Sequence, residues 1–325
     1  MALGNHSTMM EFILLGLSSD PHIQALLFVL FLLVYLLTST GNMTMMLVIR
    51  ADSHLHTPMY YFLSHLSFLD LCFSSATVRK MLENLLSKRK TISVESCLAQ
   101  VFFVFITAGT EAYLFSVMAY DRYVAICQPL LYGQVVSKQR YILLVWGSWS
   151  LGILNTLINV PLATKMGFCD THIIPHYSCE LPSLFLLSCS DVSTNLLVMF
   201  WSLIPHGLVT SLSIFSYACI VSSILSITST SGRSKAFSTC SSHLTTVILF
   251  YASGFLRYFT PTSGSSLELV FSVLYSVVIP RRNPLTHSRR NKEVKAALQR
   301  TSGKYLQCFL RQNKEIMTSN CKRNT

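Results

Sequence analysis

Met118-Ala119-Tyr120-Asp121-Arg122-Tyr123-Val124-Ala125-Ile126-Cys127 closes an apolar run that begins near Cys97, and it sets an acid and a guanidinium side by side. Such groups are expensive in hydrocarbon, so the triplet Asp121-Arg122-Tyr123 belongs where a helix leaves lipid for water. At that boundary the pair is either an interfacial anchor or a switch.

The rest of the chain makes a lipid environment the consistent one. Of 325 residues, 51% are hydrophobic and only 12% charged, with a mean hydropathy of +0.48, which excludes a water-soluble domain of this length. Roughly 20 helical residues cross about 30 Å of hydrocarbon, and runs of that size lie at 25–49, 59–82, 97–126, 141–162, 195–227, 236–259 and 267–286. Backbone groups in lipid must be paired internally, so these spans are helices or barrel strands. Barrel strands would be about half as long and would alternate apolar with polar residues, a pattern absent here. The expected fold is therefore an all-α membrane protein: a seven-transmembrane helix bundle over 25–287, a terminus at 1–24 and a basic tail at 288–325 that opens with a short amphipathic helix.

Charge sets the orientation. No Lys or Arg precedes Arg50, whereas the tail carries them from Arg289 to Arg323, which places the N-terminus outside and the tail in the cytoplasm. Arg79, Lys80, Lys88, Arg89 and Lys90 then fall on the outer side, against the rule. Much of the net charge of +11 faces the inner leaflet, so anionic membrane lipid rather than nucleic acid is the expected partner of the tail. No charged region precedes an apolar core of signal-peptide size, so the first span itself is expected to target the chain. Asn5-His6-Ser7 is an N-glycosylation acceptor that an outer N-terminus would expose.

Four cysteines fall on the outer side, Cys97, Cys169, Cys179 and Cys189, and their spacing alone permits three pairings. Cys72, Cys127, Cys219 and Cys240 lie in or beside spans and read as small packing residues; Cys308 and Cys321, in a basic tail, are acylation candidates. Asn42, Asp70, Glu111 and Asn283 fall at similar depth in four spans. They form either a hydrated site for a sodium ion or a hydrogen-bonded network that pins the helices.

Several motifs stand in a fixed order: Gly41-Asn42, Leu55-His56-Thr57-Pro58-Met59-Tyr60, Leu66-Ser67-Phe68-Leu69-Asp70, Met118 to Cys127, Ser216-Tyr217, and Lys235-Ala236-Phe237-Ser238-Thr239-Cys240-Ser241-Ser242-His243-Leu244. From Phe12 to about Leu298 the chain resembles the olfactory receptors, a branch of the rhodopsin-like G-protein-coupled receptors, and within them the tetrapod-type class. The resemblance implies disulfides Cys97–Cys179 and Cys169–Cys189, a small volatile odorant as ligand, and a stimulatory olfactory G protein that raises cyclic AMP. It further implies residence in the plasma membrane of sensory cilia. Arg122 would be held by Asp121 at rest and released to the G protein, beside Tyr123, with Tyr217, Ser238 and His243 stabilising one arrangement or the other.

Val104, Phe105, Ala108, Gly109 and Ala112 share a face of span three at helical spacing, above Arg122. Tyr251 and Tyr258 match pocket positions of similar receptors, and Asn155, Asn159, Ser202, Pro205 and His206 can face the same space. A mostly apolar chamber with a few hydroxyl and amide groups suits a small volatile molecule, although the same residues can also serve plain helix packing. Arg257 either recognises an acidic or carbonyl-bearing odorant or snorkels and pairs with Glu180 or Glu268.

Span seven departs from the family. Similar receptors read Pro-Met-Leu-Asn-Pro-x-Ile-Tyr, whereas this chain reads Pro280-Arg281-Arg282-Asn283-Pro284-Leu285-Thr286-His287. Each arginine costs about 2.5–3.5 kcal/mol at the centre of a span, so coupling or surface expression should suffer. A coupling-impaired receptor is therefore a second reading, and a seven-span transporter a third, although the internal repeats of a transporter are missing. No enzymatic activity is expected. Gly147-Ser148-Trp149-Ser150-Leu151-Gly152 spaces its glycines wrongly for a nucleophile elbow, and no phosphate loop is present. No cofactor is expected beyond the sodium ion, and His172 and His176 read as residues of a solvated loop rather than metal ligands.

Overall fold

The structure is a computed structural model describing residues 11–168, 172–259, 265–278, 280 and 293–301, without the side chains of 235, 238, 239, 242, 257–259, 266 and 278. Its long helices are α1 (Pro21–Ala51), α2 (Pro58–Leu86), α3 (Val94–Cys127), α5 (Lys138–Ala163), α7 (Ser193–Ser226) and α8 (Thr230–Phe259). The short helices α4 (Tyr132–Val135) and α6 (Leu181–Leu187) lie between them. The seventh span begins as α9 (Ser266–Val273), runs into a π-helical turn at Leu274–Val278 and is followed by α10 over 293–301.

The helices start ahead of their apolar runs because capping is done by polar residues. Asp20 Oδ1 accepts the amides of His22 at 2.8 Å and Ile23 at 3.4 Å, and Pro21 takes the first helical position, where a missing N–H costs nothing. Ser93 likewise caps α3 by accepting the Ser96 amide at 3.2 Å. Among the described residues four helices, α1, α3, α5 and α7, are long and apolar enough to cross a membrane by length and composition alone. α2 has the length but is more polar: Ser67, Asp70, Ser74 and Asn84 are buried inside the bundle, and Arg79, Lys80 and Glu83 stand near its end.

Burial runs opposite to that of a protein in water. Leu26, Leu143 and Phe215 are exposed, whereas Asn42 and Asp70 are fully buried, the distribution expected where the solvent is lipid and polar groups find partners only inside. The core joins Leu63, Leu66 and Leu69 of α2 to Leu114, Phe115 and Met118 of α3 and to Ile220 and Phe250. α3 and α5 approach closely at Gly152, where a Cβ would stand 2.8 Å from the backbone nitrogen of Thr110. Only glycine fits there, the small-residue contact that membrane helices use in place of hydrophobic association.

A small sheet lies outside the apolar runs. β1 (Glu11–Leu14) pairs antiparallel with β2 (Thr91–Ser93) and parallel with β3 (Ile173–Ile174), in the order β2-β1-β3. Phe12 and Leu14 alternate inward and are fully buried, so the segment before α1 covers the start of α3. The basic residues that broke the charge rule are partly neutralised here: Lys80 pairs with Glu83 at 2.8 Å, and Lys90 donates to the Ser18 carbonyl at 3.1 Å. At the other end of the bundle Val294 and Ala297 of α10 are buried in the main core, and two polar ties hold the helix. Arg300 pairs with Asp52 at 2.8 Å, and the Tyr60 hydroxyl donates to Glu293 at 2.8 Å.

Candidate functional site

α3, α5, α7, α8 and Tyr275 enclose a cavity of about 610 Å³, within the size range of small-molecule sites. Phe105, Ala108, Gly109 and Ala112 line it from α3, and the three small residues leave the room. Asn155 lines it from α5; Met199, Ser202, Leu203, His206, Gly207 and Thr210 from α7; Phe250, Tyr251, Ala252, Gly254 and Phe255 from α8. Below, Ser116 Oγ donates to the Val209 carbonyl at 3.0 Å and lies 2.8 Å from Ser213 Oγ, while the Tyr251 hydroxyl donates to the Ala112 carbonyl at 2.9 Å. These bonds satisfy the floor and tie α3, α7 and α8 together beneath the cavity.

Three residues assigned to this chamber from sequence do not line it. Pro205 stands one residue before His206, about 100° round the helix, and is exposed on the lipid side. Asn159 is buried one turn from Asn155, donating to its carbonyl at 2.9 Å and to its side-chain oxygen at 3.0 Å. Val104 lines a smaller neighbouring space with Ser178, Cys179, Glu180 and Ser276. The side chains of Tyr258 and Arg257 lie outside the described residues. Met199, Leu203, Gly207 and Thr210 were missed, although with Ser202 and His206 they repeat at three- and four-residue intervals, which was the available signal.

Over the chamber, Cys97 and Cys179 form a disulfide that staples the loop after α5 to the start of α3, and the Cys179 amide donates to Gln100 at 2.8 Å. Cys189 is also disulfide-bonded; Cys169 lies outside the described residues, as does Asn5. His176 corrects the solvated-loop reading: it is fully buried, stacked on Tyr177 with ring centroids 4.4 Å apart. Among the described residues no group of three or more His, Cys, Asp or Glu converges as a metal site.

At the far end of α3, Arg122 Nη2 and Nε lie 2.5 and 3.0 Å from Asp121 Oδ2. Asp121 Oδ1 accepts the Tyr132 hydroxyl at 2.9 Å, so α4 is tied to the same carboxylate. Burial, the charge of Asp121 and this bond push the Tyr132 phenol up to about 12, which keeps its donor proton at any physiological pH. Asp121 is buried, whereas the Arg122 side chain is 17% exposed. Tyr217 is hydrogen-bonded to His243 across α7 and α8, and the Tyr123 hydroxyl accepts from Gln128 at 3.5 Å. The Ser238 side chain and residues Arg281, Arg282, Asn283 and His287 lie outside the described residues.

Between the two ends, Asn42 donates to the carbonyls of Thr38 and Pro280, both at 3.1 Å, tying α1 to the seventh span. Asp70 and Glu111 are buried in the same bundle. Asn42 Oδ1, Ser67 Oγ and Glu111 Oε1 are buried with no hydrogen-bond partner among the described residues. Each is the kind of neutral or acidic oxygen that a hard cation takes.

A family profile described as "Olfactory receptor" matches residues 31–304. Human olfactory receptor 8S1 is 67% identical over 296 residues, covering 91% of this chain and 82% of its own. Human olfactory receptor 8A1 is 49% identical, covering 93% of both chains, and mouse olfactory receptor 5G9 is 47% identical, covering 94% of this chain and 98% of its own. Squid rhodopsin matches in fold, with a TM-score of 0.66 at 14% identity over 90% of this chain and 88% of its own. With this helical bundle, the rhodopsin-like fold and the family match over most of its length, the chain belongs to the olfactory receptors.

Proposed function

We propose that the chain binds a small volatile odorant in the chamber between α3, α5, α7 and α8, and that binding releases Arg122 from Asp121 to engage a stimulatory G protein and raise cyclic AMP. The observation that carries this is the cavity of about 610 Å³ whose floor bonds join α3, α7 and α8 above that ion pair. A ligand that fits better when the floor shifts changes the equilibrium by its differential affinity alone, and the partly exposed Arg122 guanidinium is the element it would tip. The Tyr217–His243 bond would have to yield if α7 and α8 separate. In this reading the Cys97 end and Asn5 face outward, the Asp121 end and the basic tail face the cytoplasm and its anionic lipid, and the plasma membrane of sensory cilia is the working location. The chain is a receptor and not a catalyst.

Asp70 and Glu111 would hold a sodium ion, with Asn42 and Ser67 as neutral oxygen donors. Unfolding in sodium and in choline chloride tests it: sodium should raise the melting temperature of the wild type and not of Glu111→Gln, and equal melting in both salts would contradict it.

Cyclic AMP reporter cells exposed to an odorant panel test the whole proposal. A dose-dependent response at a surface level matched to relatives is expected, and silence would contradict it. A second reading, impaired coupling, rests on Arg281, Arg282 and His287 in span seven. Arg281→Met, Arg282→Leu and His287→Tyr together should then raise the response or surface level, and no change in either would remove this reading.

A further inference from the structure

The polar groups of the chamber are unequal. Ser202 Oγ donates to the Met199 carbonyl at 2.7 Å and Thr210 Oγ1 to the His206 carbonyl at 2.7 Å, so both hydroxyl protons are used by their own helix. The Tyr251 proton goes to Ala112. These hydroxyl oxygens can then only accept, and two further side chains present a nitrogen, one an acceptor and one a donor. His206 Nδ1 lies 3.0 Å from the Ser202 carbonyl oxygen, which can only accept, so Nδ1 carries the proton. Among the described residues no carboxylate pairs with His206, and an imidazolium there would be an uncompensated charge in a mostly apolar chamber. The ring is held neutral, with Nε2 as a bare acceptor. Its contact with Tyr113, at a centroid distance of 5.0 Å, braces the ring.

Asn155 presents the opposite function. Its side-chain oxygen accepts from Asn159 Nδ2 at 3.0 Å, which assigns the amide orientation and leaves Asn155 Nδ2 as a donor with no partner among the described residues. The acceptor and the donor border the same part of the chamber, next to Gly109: a Cβ placed on Gly109 would lie 3.8 Å from His206 Nε2 and 3.9 Å from Asn155 Nδ2.

We propose that the chamber selects odorants bearing a hydroxyl group, which donates to Nε2 of His206 and accepts from Nδ2 of Asn155 beside Gly109. The inference rests on the odorant-receptor reading above and adds the ligand class. A hydroxyl satisfies both groups with one oxygen. A ketone, aldehyde or ether can only accept, so it pairs with Asn155 and leaves the His206 lone pair facing another lone pair. A site built to bond a hydroxyl discriminates against the analogue without it because its own polar group is then left unpaired.

The test uses the full-length receptor and matched ligands on straight-chain, cyclohexyl and terpene skeletons, each as the alcohol, the methyl ether and the ketone or aldehyde. Potency in the reporter cells and thermal shift of purified receptor are both read. On a skeleton that binds, the alcohol should exceed its ether and carbonyl partners by roughly tenfold, the range for an unpaired buried acceptor. His206→Phe keeps an aromatic ring and removes the acceptor, and it should collapse that ratio toward one. Gly109→Ala introduces a methyl whose nearest neighbours, the Gly152 Cα at 3.5 Å and the two polar atoms, are at ordinary contact distance, so it should fold while filling the hydroxyl's place and weakening the alcohol most. The ratio is internal to each variant and so independent of expression. Equal potency of alcohols and carbonyls in the wild type, or an unchanged ratio in His206→Phe, would overturn the hydroxyl preference and leave the odorant reading standing. Absence of both response and thermal shift with every ligand would overturn both.

Discussion

The chamber is walled by neutral groups whose hydrogen bonds run mostly within and between helices, whereas the opposite end of α3 is held by ionised groups 2.5 to 3.0 Å apart. The difference follows from the solvent at each place. In a mostly apolar cavity between lipid-exposed helices a charge would be costly and indiscriminate, so shape and one or two aimed polar atoms make the selection. At the far end of α3 Asp121 is buried while the Arg122 side chain is partly exposed, so the guanidinium can leave the carboxylate for water or a partner, as the proposed switch needs. The two ends are joined by α3, whose small residues open the chamber and whose last turns carry Asp121 and Arg122.

That contrast is open to attack at several points, beginning where the effect should be greatest. Cys97→Ser removes the staple over the chamber, and loss of such a bridge costs about 2–5 kcal/mol in small secreted domains, so surface display by antibody staining should fall the furthest. Gly152→Ala drives a methyl into the Thr110 backbone and should lower stability by about 1–3 kcal/mol in detergent melting. Gly147→Ala, with nothing within 4 Å of the new carbon, should stay within about 0.5 kcal/mol. Equal losses at both glycines would mean that the close approach of α3 and α5 is not what orders the chamber.

At the charged end, Asp121→Asn should raise ligand-independent cyclic AMP because Arg122 loses its charged partner. Tyr132→Phe should raise it less, since it removes one hydrogen bond to the Asp121 carboxylate, worth about 1.5–3 kcal/mol, and leaves the ion pair in place. The reverse order would place control in α4 rather than in the ion pair. The smallest effect belongs to the tie between α10 and the turn after α1. Burial favours the protonated form of Asp52, but the Arg300 hydrogen bond, the His54 amide and the charges of Arg300 and His54 outweigh it and hold the carboxyl below its ordinary range. A carboxyl depressed in the folded state stabilises fully above its unfolded pKa, about 3.9, and loses that contribution as pH falls through the folded value. Melting of the wild type relative to Arg300→Gln should thus differ slightly at neutral pH and converge in strong acid.

The bundle was legible in the chain because lipid demands long apolar runs, and the positions of the runs follow from their length. The ends were less so: Pro21, His22 and Gln24 are helical but not apolar, and only the cap geometry of Asp20 includes them. The sheet was illegible, since strands of two to four residues depend on partners far away in sequence. In the chamber the α3 face could be read from spacing because α3 is buried on most sides. α7 is apolar on both its lipid and its interior faces, so periodicity there gave Pro205 a place it does not take and left out Met199, Leu203, Gly207 and Thr210. The sequence places His206 on the chamber side of α7, but which of its nitrogens faces the chamber is set by the Ser202 carbonyl, a partner that only the folded helix supplies.

The link between the two ends is tested most directly by filling the chamber and reading the far end. Ala108→Phe places a ring in the cavity from α3, some four turns from Arg122. At matched surface level its cyclic AMP response to an odorant active on the wild type should be abolished, while ligand-independent signalling raised by Asp121→Asn in the same background should persist. An undiminished odorant response in Ala108→Phe would contradict the account.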